Sequence, residues 1–402
     1  MKQIAAKLAL TSVTLLAAAS LGACSGSAAS GGNKNTQSST LVKVGVSVPL
    51  SGPTATAGTA TACGADAYFN LINAKGGVNG YTFETNAQDN KYDAAQAAQI
   101  AQGFSADGSF AVIVQGTAMF TASTPVLQPK KLPVFGGPDG AIVTPGQDGI
   151  YGYNPIYADE GASAADFVTK TLKLNSAAVA YLAPPAAKGA KAFAEKFKES
   201  GGTVPLVEGV PTSVGDFAPL AQKLKDTGAE AVYTMLVDTQ LSGLQKAAAA
   251  IGYKPAWVTW AIAYGPSYVQ LAGALAEGTY TSRWGMPASE TNDPAVKDYV
   301  DALTSMPKCA ALVGDNAADT GYASAAAIVY GVKQATEGGA KLDVDKFNAA
   351  LSNVRDMQLG ITPGQSFDSA SHASVRENSF WQVKDGQLVK VQDYQPLTHA
   401  AG

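Results

Sequence analysis

Two histidines, His372 and His399, are the only side chains here whose ordinary titration falls near neutral pH. Both lie in the C-terminal fifth of the chain, where turns and tail dominate. No H-E-x-x-H, G-x-S-x-G, Walker A loop or Rossmann glycine triplet is present. The three cysteines, Cys24, Cys63 and Cys309, form neither a C-x-x-C nor a C-x-x-C-H, so redox catalysis and haem attachment have no support. Only two carboxylates brought together by folding could act as acid and base, and no motif marks such a pair. We therefore expect no catalytic residue, no cofactor and no metal. Non-covalent binding is the chemistry these residues suit. Gly116-Thr117-Ala118 follows the apolar run Phe110–Val114. Glycine lets the backbone approach a guest, threonine offers a hydroxyl, and a helix starting there presents unpaired amides and the positive end of its dipole. A plain helix cap is the other reading of the same three residues.

A loop of that kind needs a strand before it and a helix after it. The stretch from Val42 to Asp89 shows how the chain supplies them. Val42, Val44, Val46 and Val48 alternate with Lys43, Gly45 and Ser47, a β-branched run. Leu50-Ser51-Gly52-Pro53 stops it, because proline lacks a ladder donor. From about Ala57 to Ala74 the pattern is helical, with Ala65, Tyr68, Phe69 and Ile72 on one face. Gly76-Gly77 is a helix C-terminal signal and Asn79-Gly80 a turn signal, and Tyr81 to Asp89 reads as a second strand. This is a βαβ unit, whose strands lie parallel through a right-handed crossover. Its loops sit at the carboxyl edge of the sheet, where open α/β sheets bind ligands.

The alternation continues. Helix Tyr92–Ser105, strand Phe110–Val114, a helix reaching Lys130 and strand Leu132–Phe135 follow, and the turn Gly136-Gly137-Pro138-Asp139-Gly140 comes next. The pattern restarts near residues 150–155. Strands at Ala177–Leu182, Val204–Val210, Ala231–Leu236 and Ala256–Trp260 alternate with helices at Ala187–Ser200, Asp216–Asp226 and Gln240–Ile251. Parallel sheets covered on both faces, in two lobes of similar size, are expected. Helices near Pro294–Ser305, Asp319–Glu337 and Val344–Leu351 come later. Asp385-Gly386 then joins two strands as a type I′ hairpin.

The chain has 402 residues, 46% hydrophobic and 15% charged, enough for two separate cores. Residues 1–23 read as a leader, with Lys2 and Lys7 before the apolar run Leu8–Leu21, too short for a lasting membrane span. Without it, 26 basic residues face 32 acidic ones. A mildly acidic chain with no basic run argues against nucleic acid as a partner. Leu21-Gly22-Ala23-Cys24 reads as a lipobox, and residues 24–40, rich in Ser, Gly and Asn, as a flexible tether. Lipobox resemblance implies cleavage before Cys24 and diacylation of its thiol, enough for stable attachment to a membrane. Outside the cytoplasm, Cys63 and Cys309 are expected to be bridged, two buried thiols being the alternative. A bridge means that the late segment returns to the first lobe.

Taken together, Pro49-Leu50-Ser51-Gly52-Pro53, the helix end Ile72 to Gly80 and the strand end Asp89-Asn90 resemble the opening of the branched-chain amino-acid (Leu/Ile/Val) binding protein family, the periplasmic receptors of ABC importers. The resemblance runs more loosely over nearly the whole mature chain. It implies an α/β fold of two Rossmann-like lobes, the type I periplasmic binding protein fold. Three hinge crossings are implied, near Tyr153, Trp284 and Leu359. The lobes then comprise 41–153 with 286–358, and 154–285 with 359–396. It also implies that Thr117 bonds a ligand carboxylate, with Gly116 and Ala118 beside it, and that Gly137, Pro138 and Gly140 give backbone contacts. Gly140 lacks the threonine hydroxyl usual there. Ser51 and Asp89 hold the two remaining loop ends, a turn or cap role being the other reading of Asp89.

The second lobe departs from the family. After the strand ending at Trp260, where the family places an acidic residue against the ligand ammonium, stands Ala261-Ile262-Ala263-Tyr264. Asp238 could substitute, since an ammonium buried without a counter-charge is costly. Otherwise the ligand has no ammonium. Trp257, Trp260, Tyr264 and Trp284 either line an apolar cleft or belong to the core. The expected protein is thus a monomeric, lipid-anchored solute receptor that closes on an amino acid or related small carboxylate and delivers it to an ABC permease. An amide, urea or aromatic acid is the alternative ligand, and a sensor without transport the alternative role.

Overall fold

The computed structural model of this chain describes residues 40–52, 54–136, 149–352, 354–367 and 372–400. Its first sheet holds β1 (Thr40–Val48), β2 (Tyr81–Asp89), β3 (Ala111–Val114), β4 (Val134–Gly136) and β5 (Ile150–Gly152), in the order β2-β1-β3-β4-β5. Every pairing is parallel. The last five residues of β1 are buried on both faces, as befits a central strand with helices on either side. Gly45 is small for a reason: a Cβ there would lie 2.6 Å from the ring of Phe104.

Helices α1 (Ala55–Ala74), α2 (Ala94–Ala106) and α3 (Thr117–Leu127) supply the crossovers of this sheet. Asp93 caps α2 by accepting from the Gln96 amide. Gly76 and Gly77, both at positive φ, end α1, and the Gly77 amide returns to the Ile72 carbonyl at 2.9 Å.

The second sheet has seven strands: β6 (Ala177–Leu182), β7 (Val207–Val210), β8 (Ala231–Met235), β9 (Ala256–Thr259), β10 (Tyr280–Arg283), β11 (Glu377–Lys384) and β12 (Gln387–Pro396). Their order is β12-β11-β10-β9-β8-β6-β7. Strands β6 to β10 run parallel, and β11 and β12 add an antiparallel edge. Asp385 and Gly386 turn that hairpin with φ of 51° and 71°, the left-handed pair a tight primed turn needs. Helices α4 (Tyr157–Asp166), α5 (Ala187–Glu199), α6 (Ala218–Thr227), α7 (Asp238–Ala250) and α8 (Pro266–Ala272) accompany this sheet. Phe193 and Phe197 on α5 stack at 5.5 Å.

After β10 the chain returns to the first lobe as α9 (Pro294–Thr304), α10 (Asn316–Ala335) and α11 (Val344–Ser352). A disulfide joins Cys63 on α1 to Cys309 just before α10. The return lasts longer than expected. Val354, Met357, Leu359 and Phe367 are buried in the first lobe's core, with the Tyr151 ring 4.9 Å from that of Phe367. Gly152 then pairs with Ala373, and the Gly152 amide donates to the His372 carbonyl. The third crossing therefore falls between Ala373 and Glu377 rather than near Leu359. Burying those four apolar side chains against the first sheet keeps the segment there. His372 is buried in the same place, with Nδ1 2.8 Å from the Ile150 carbonyl.

Arg283, at the end of β10, pairs with Asp319 on α10, and both side chains are fully buried. One partner belongs to the second sheet and the other to a helix packed on the first. The pair thus sits where the chain passes between lobes. Among the described residues no helix is long and apolar enough to cross a membrane.

Candidate functional site

The carboxyl ends of strands from both sheets converge on one cleft of about 140 Å³. A cavity of about 150 Å³ accepts a molecule of benzene's size. From the first lobe, Thr54, Ala57 and Thr61 at the start of α1, Tyr92, and Gln115-Gly116-Thr117 after β3 reach it. From the second come Tyr157, Leu182, Asp238, Trp260, Tyr264 and Ser267. The start of α10 adds Asp315, Asn316 and Thr320.

Gly116 has φ of 95° and forms the N-cap of α3, a conformation that favours glycine. The first amides of α3 have no acceptor within the helix and open toward this space. Thr117 Oγ1 lies 3.4 Å from the Tyr157 hydroxyl, which stands at the start of α4. That contact spans the cleft from one lobe to the other. Tyr157 in turn packs edge-on against Trp260, with centroids 5.3 Å apart. Trp260 is fixed by its indole N–H, which donates to the Leu236 carbonyl at 2.6 Å.

Behind the Trp260–Tyr264 loop, Glu160 accepts from the Ala261 amide at 3.1 Å and from the Ser282 hydroxyl. Burial pushes its carboxyl above the ordinary range, against the pull of those two bonds. The group pins the loop and does not reach the cleft.

Two carboxylates do reach it. Asp238 opens α7 and accepts from the Ser267 hydroxyl at 2.8 Å. Asp315 caps α10, accepting from the Ala317 amide at 2.8 Å, and is 8% exposed. Burial pushes the Asp315 carboxyl up to about 7, and the nearby charges of Asp319 and Asp238 add to the rise. The Ala317 amide and Arg283 work in the opposite direction. Three cleft residues carry buried polar atoms without a partner: Thr54 Oγ1, Gln115 Oε1 and Asn316 Oδ1. Leaving such atoms unpaired costs about 1–3 kcal/mol each.

Of the residues expected from sequence, the cleft gathers Gly116, Thr117, Asp238 and Tyr264. Ala118 is not among its lining, and neither are Ser51 and Asp89. The Ser51 hydroxyl and the amides of Leu50 and Lys91 all donate to the Asp89 carboxylate. These bonds hold it below the ordinary carboxylate value, the Ser51 bond most strongly. Asp89 ties two loop ends together, which is the turn role. Gly137, Pro138, Gly140 and Cys24 lie outside the described residues. Trp284 is buried in a small apolar cluster away from the lining. Asp315 and Asn316 were not anticipated. An Asp just before a long apolar helix is a legible cap signal, but only the fold turns that cap toward the cleft.

A model of the periplasmic binding protein family matches residues 41–387. The Leu/Ile/Val-binding protein homolog 3 of Brucella melitensis is 26% identical over 347 residues, covering 81% of this chain and 90% of the relative. Among solved structures, a branched-chain amino acid ABC transporter protein of Thermus thermophilus with bound valine superposes with a TM-score of 0.82. It is 17% identical and covers 89% of this chain and 97% of its own. A solute-binding protein of R. palustris in complex with 4-hydroxybenzoate gives 0.76 at 22% identity, covering 89% and 98%.

Proposed function

The chain belongs to the periplasmic binding protein family, and from that premise we propose that it is an extracytoplasmic solute receptor of an ABC importer. It binds an amino acid or related small carboxylate in the cleft between its lobes and delivers it to a permease. Cys24, as the lipidated first residue of the mature chain, anchors it to the membrane. Its activity is binding, and no bond is made or broken.

One observation carries this reading: loops from both sheets meet around a single cleft. The α3 amides and the Thr117 hydroxyl face it from the first lobe and suit a carboxylate. The aromatic wall of Tyr157, Trp260 and Tyr264 suits an apolar body. Closure is driven by whatever contacts the ligand makes better in the closed form, and the permease reads that form. Micromolar binding requires only about 8 kcal/mol. The 4-hydroxybenzoate carried by one structural relative, and the lack of a carboxylate after Trp260, favour an aromatic acid as the second reading.

Titration calorimetry of the purified protein against the amino acids and a panel of small organic acids tests the proposal. At least one is expected to bind with micromolar or better affinity. No heat from any of them overturns it.

A further inference from the structure

Strand β12 ends at Pro396, and the four residues after it lie along the hinge. Leu397 is buried in a small apolar cluster with Ala261, Trp284 and Val375. Trp284 belongs to the second passage between the lobes and Val375 to the third. The Leu397 amide donates to the Arg376 carbonyl at 2.8 Å, again in the third passage. The first passage is reached through α4, the helix into which it leads. The Thr398 amide donates to the Ser163 hydroxyl oxygen at 2.8 Å, and the Thr398 hydroxyl donates to Asp166 at 2.8 Å. The Ala400 amide donates to Asp159 Oδ1 at 3.0 Å, and His399 Nδ1 lies 3.0 Å from Oδ2 of the same carboxylate. Asp159, Ser163 and Asp166 recur at helical spacing, so they share one face of α4. A single short segment therefore holds two passages directly and the third through its helix.

The passages also bond to one another and to the first lobe. The Gly152 amide donates to the His372 carbonyl at 2.8 Å, and the Ser374 amide to the Gly152 carbonyl at 3.0 Å. The Tyr153 amide reaches the Gly136 carbonyl at 3.1 Å, and the Met286 amide the Ile361 carbonyl at 2.7 Å. Hinge motion is absorbed by a few residues of this kind. An apolar side chain wedged between two passages keeps its burial only while they keep their spacing. Drawing Trp284 and Val375 apart would return Leu397 to water. The polar contacts add less, because the His399 ring is exposed and exposed ion pairs contribute little. Both ends of the segment connect to the cleft. Tyr157, the first residue of α4, stands 3.4 Å from Thr117 across it, and Ala261 begins the turn that follows Trp260.

We propose that Leu397–Ala400 is a hinge strap, with Leu397 as its peg, which ties the three passages together and favours the lobe arrangement seen here over a more open one. The strap lies outside the cleft lining, so the inference holds whichever solute the cleft takes.

The test needs no ligand. Two variants are compared with the full chain: one stops after Pro396, which keeps β12 whole, and the other is Leu397→Ala. Small-angle X-ray scattering reads the dimensions of the ligand-free protein, and hydrogen exchange reads the hinge amides. Both variants are expected to have a larger radius of gyration than the full chain. Their Gly152, Tyr153 and Met286 amides should exchange at least about tenfold faster, while those of β6 and β8 keep their original rates. If the shortened chain fails to fold, Leu397→Ala alone decides. Unchanged dimensions, or unchanged exchange at those three amides, overturns the proposal. So does an acceleration spread equally over β6 and β8, since the tail would then serve only the core of the second lobe.

Discussion

Asp315 combines a cap, a charge and a buried position, and these pull its proton in different directions. Burial is the largest cause that raises its carboxyl to about 7 from an ordinary 3.8. The charges around it are Asp319 on its own helix, Asp238 at the start of α7, and Arg283 on β10. A folded-state value above the unfolded one means that the native protein holds the extra proton between about pH 4 and pH 7. That proton's contribution to stability is complete below about pH 4 and is lost as pH rises toward 7. Melting temperatures of the ligand-free wild type should therefore fall, relative to Asp315→Asn, across that window. A constant difference between the two proteins would show that the group does not titrate there. Thr117 illustrates what was readable in sequence at this scale. A Gly-Thr after an apolar strand announced a helix start with a hydroxyl, and the residue does line the cleft. Asp89 looked equivalent, yet Ser51 and two amides occupy its oxygens. Which acceptor is already spent is a matter of three-dimensional neighbours, and no spacing rule carries it.

At the scale of elements, α1 and α10 form one wall of the cleft by packing backbone against backbone. A Cβ on Gly64 would lie 2.0 Å from the Ala318 carbonyl oxygen, and one on Gly321 would lie 1.9 Å from that of Thr61. Both obstacles are main chain, so neither can swing aside. Gly64→Ala should cost about 1–3 kcal/mol or more through forced separation of the two helices. It should also weaken ligand binding, because Thr61 and Asp315 ride on that pair. Gly103→Ala, inside α2 with open space around it, should instead stabilise by about 0.5–1 kcal/mol. Denaturant midpoints of both variants check the contrast. Periodicity found α1, α2 and most strands, because alternating or helically spaced apolar residues record which face is buried. It missed α8, whose seven residues are too few to show a period. The family resemblance implied a third crossing near Leu359, but the segment 354–367, which has no regular element, is held on the first lobe by tertiary burial alone.

At the scale of the whole molecule, two sheets with separate cores are linked by three passages of chain, and the Arg283–Asp319 pair bridges them. Strand–helix alternation in the sequence made two parallel sheets legible. The antiparallel edge of the second sheet was legible only as a hairpin, since nothing local says which strand it joins. The covalent map adds a further layer. Cys63 and Cys309 are 246 residues apart, so the chain between them is a closed ring. That ring carries β6 to β10, while β11 and β12, which complete the same sheet, hang outside it. Sever the backbone once at an exposed turn within the ring, such as the one following Glu199, and no piece is released. On a gel the clipped protein should migrate as a single species until a thiol is added, and only then as two. A receptor exposed to proteases outside the cell would in this way outlive its first wound in one piece.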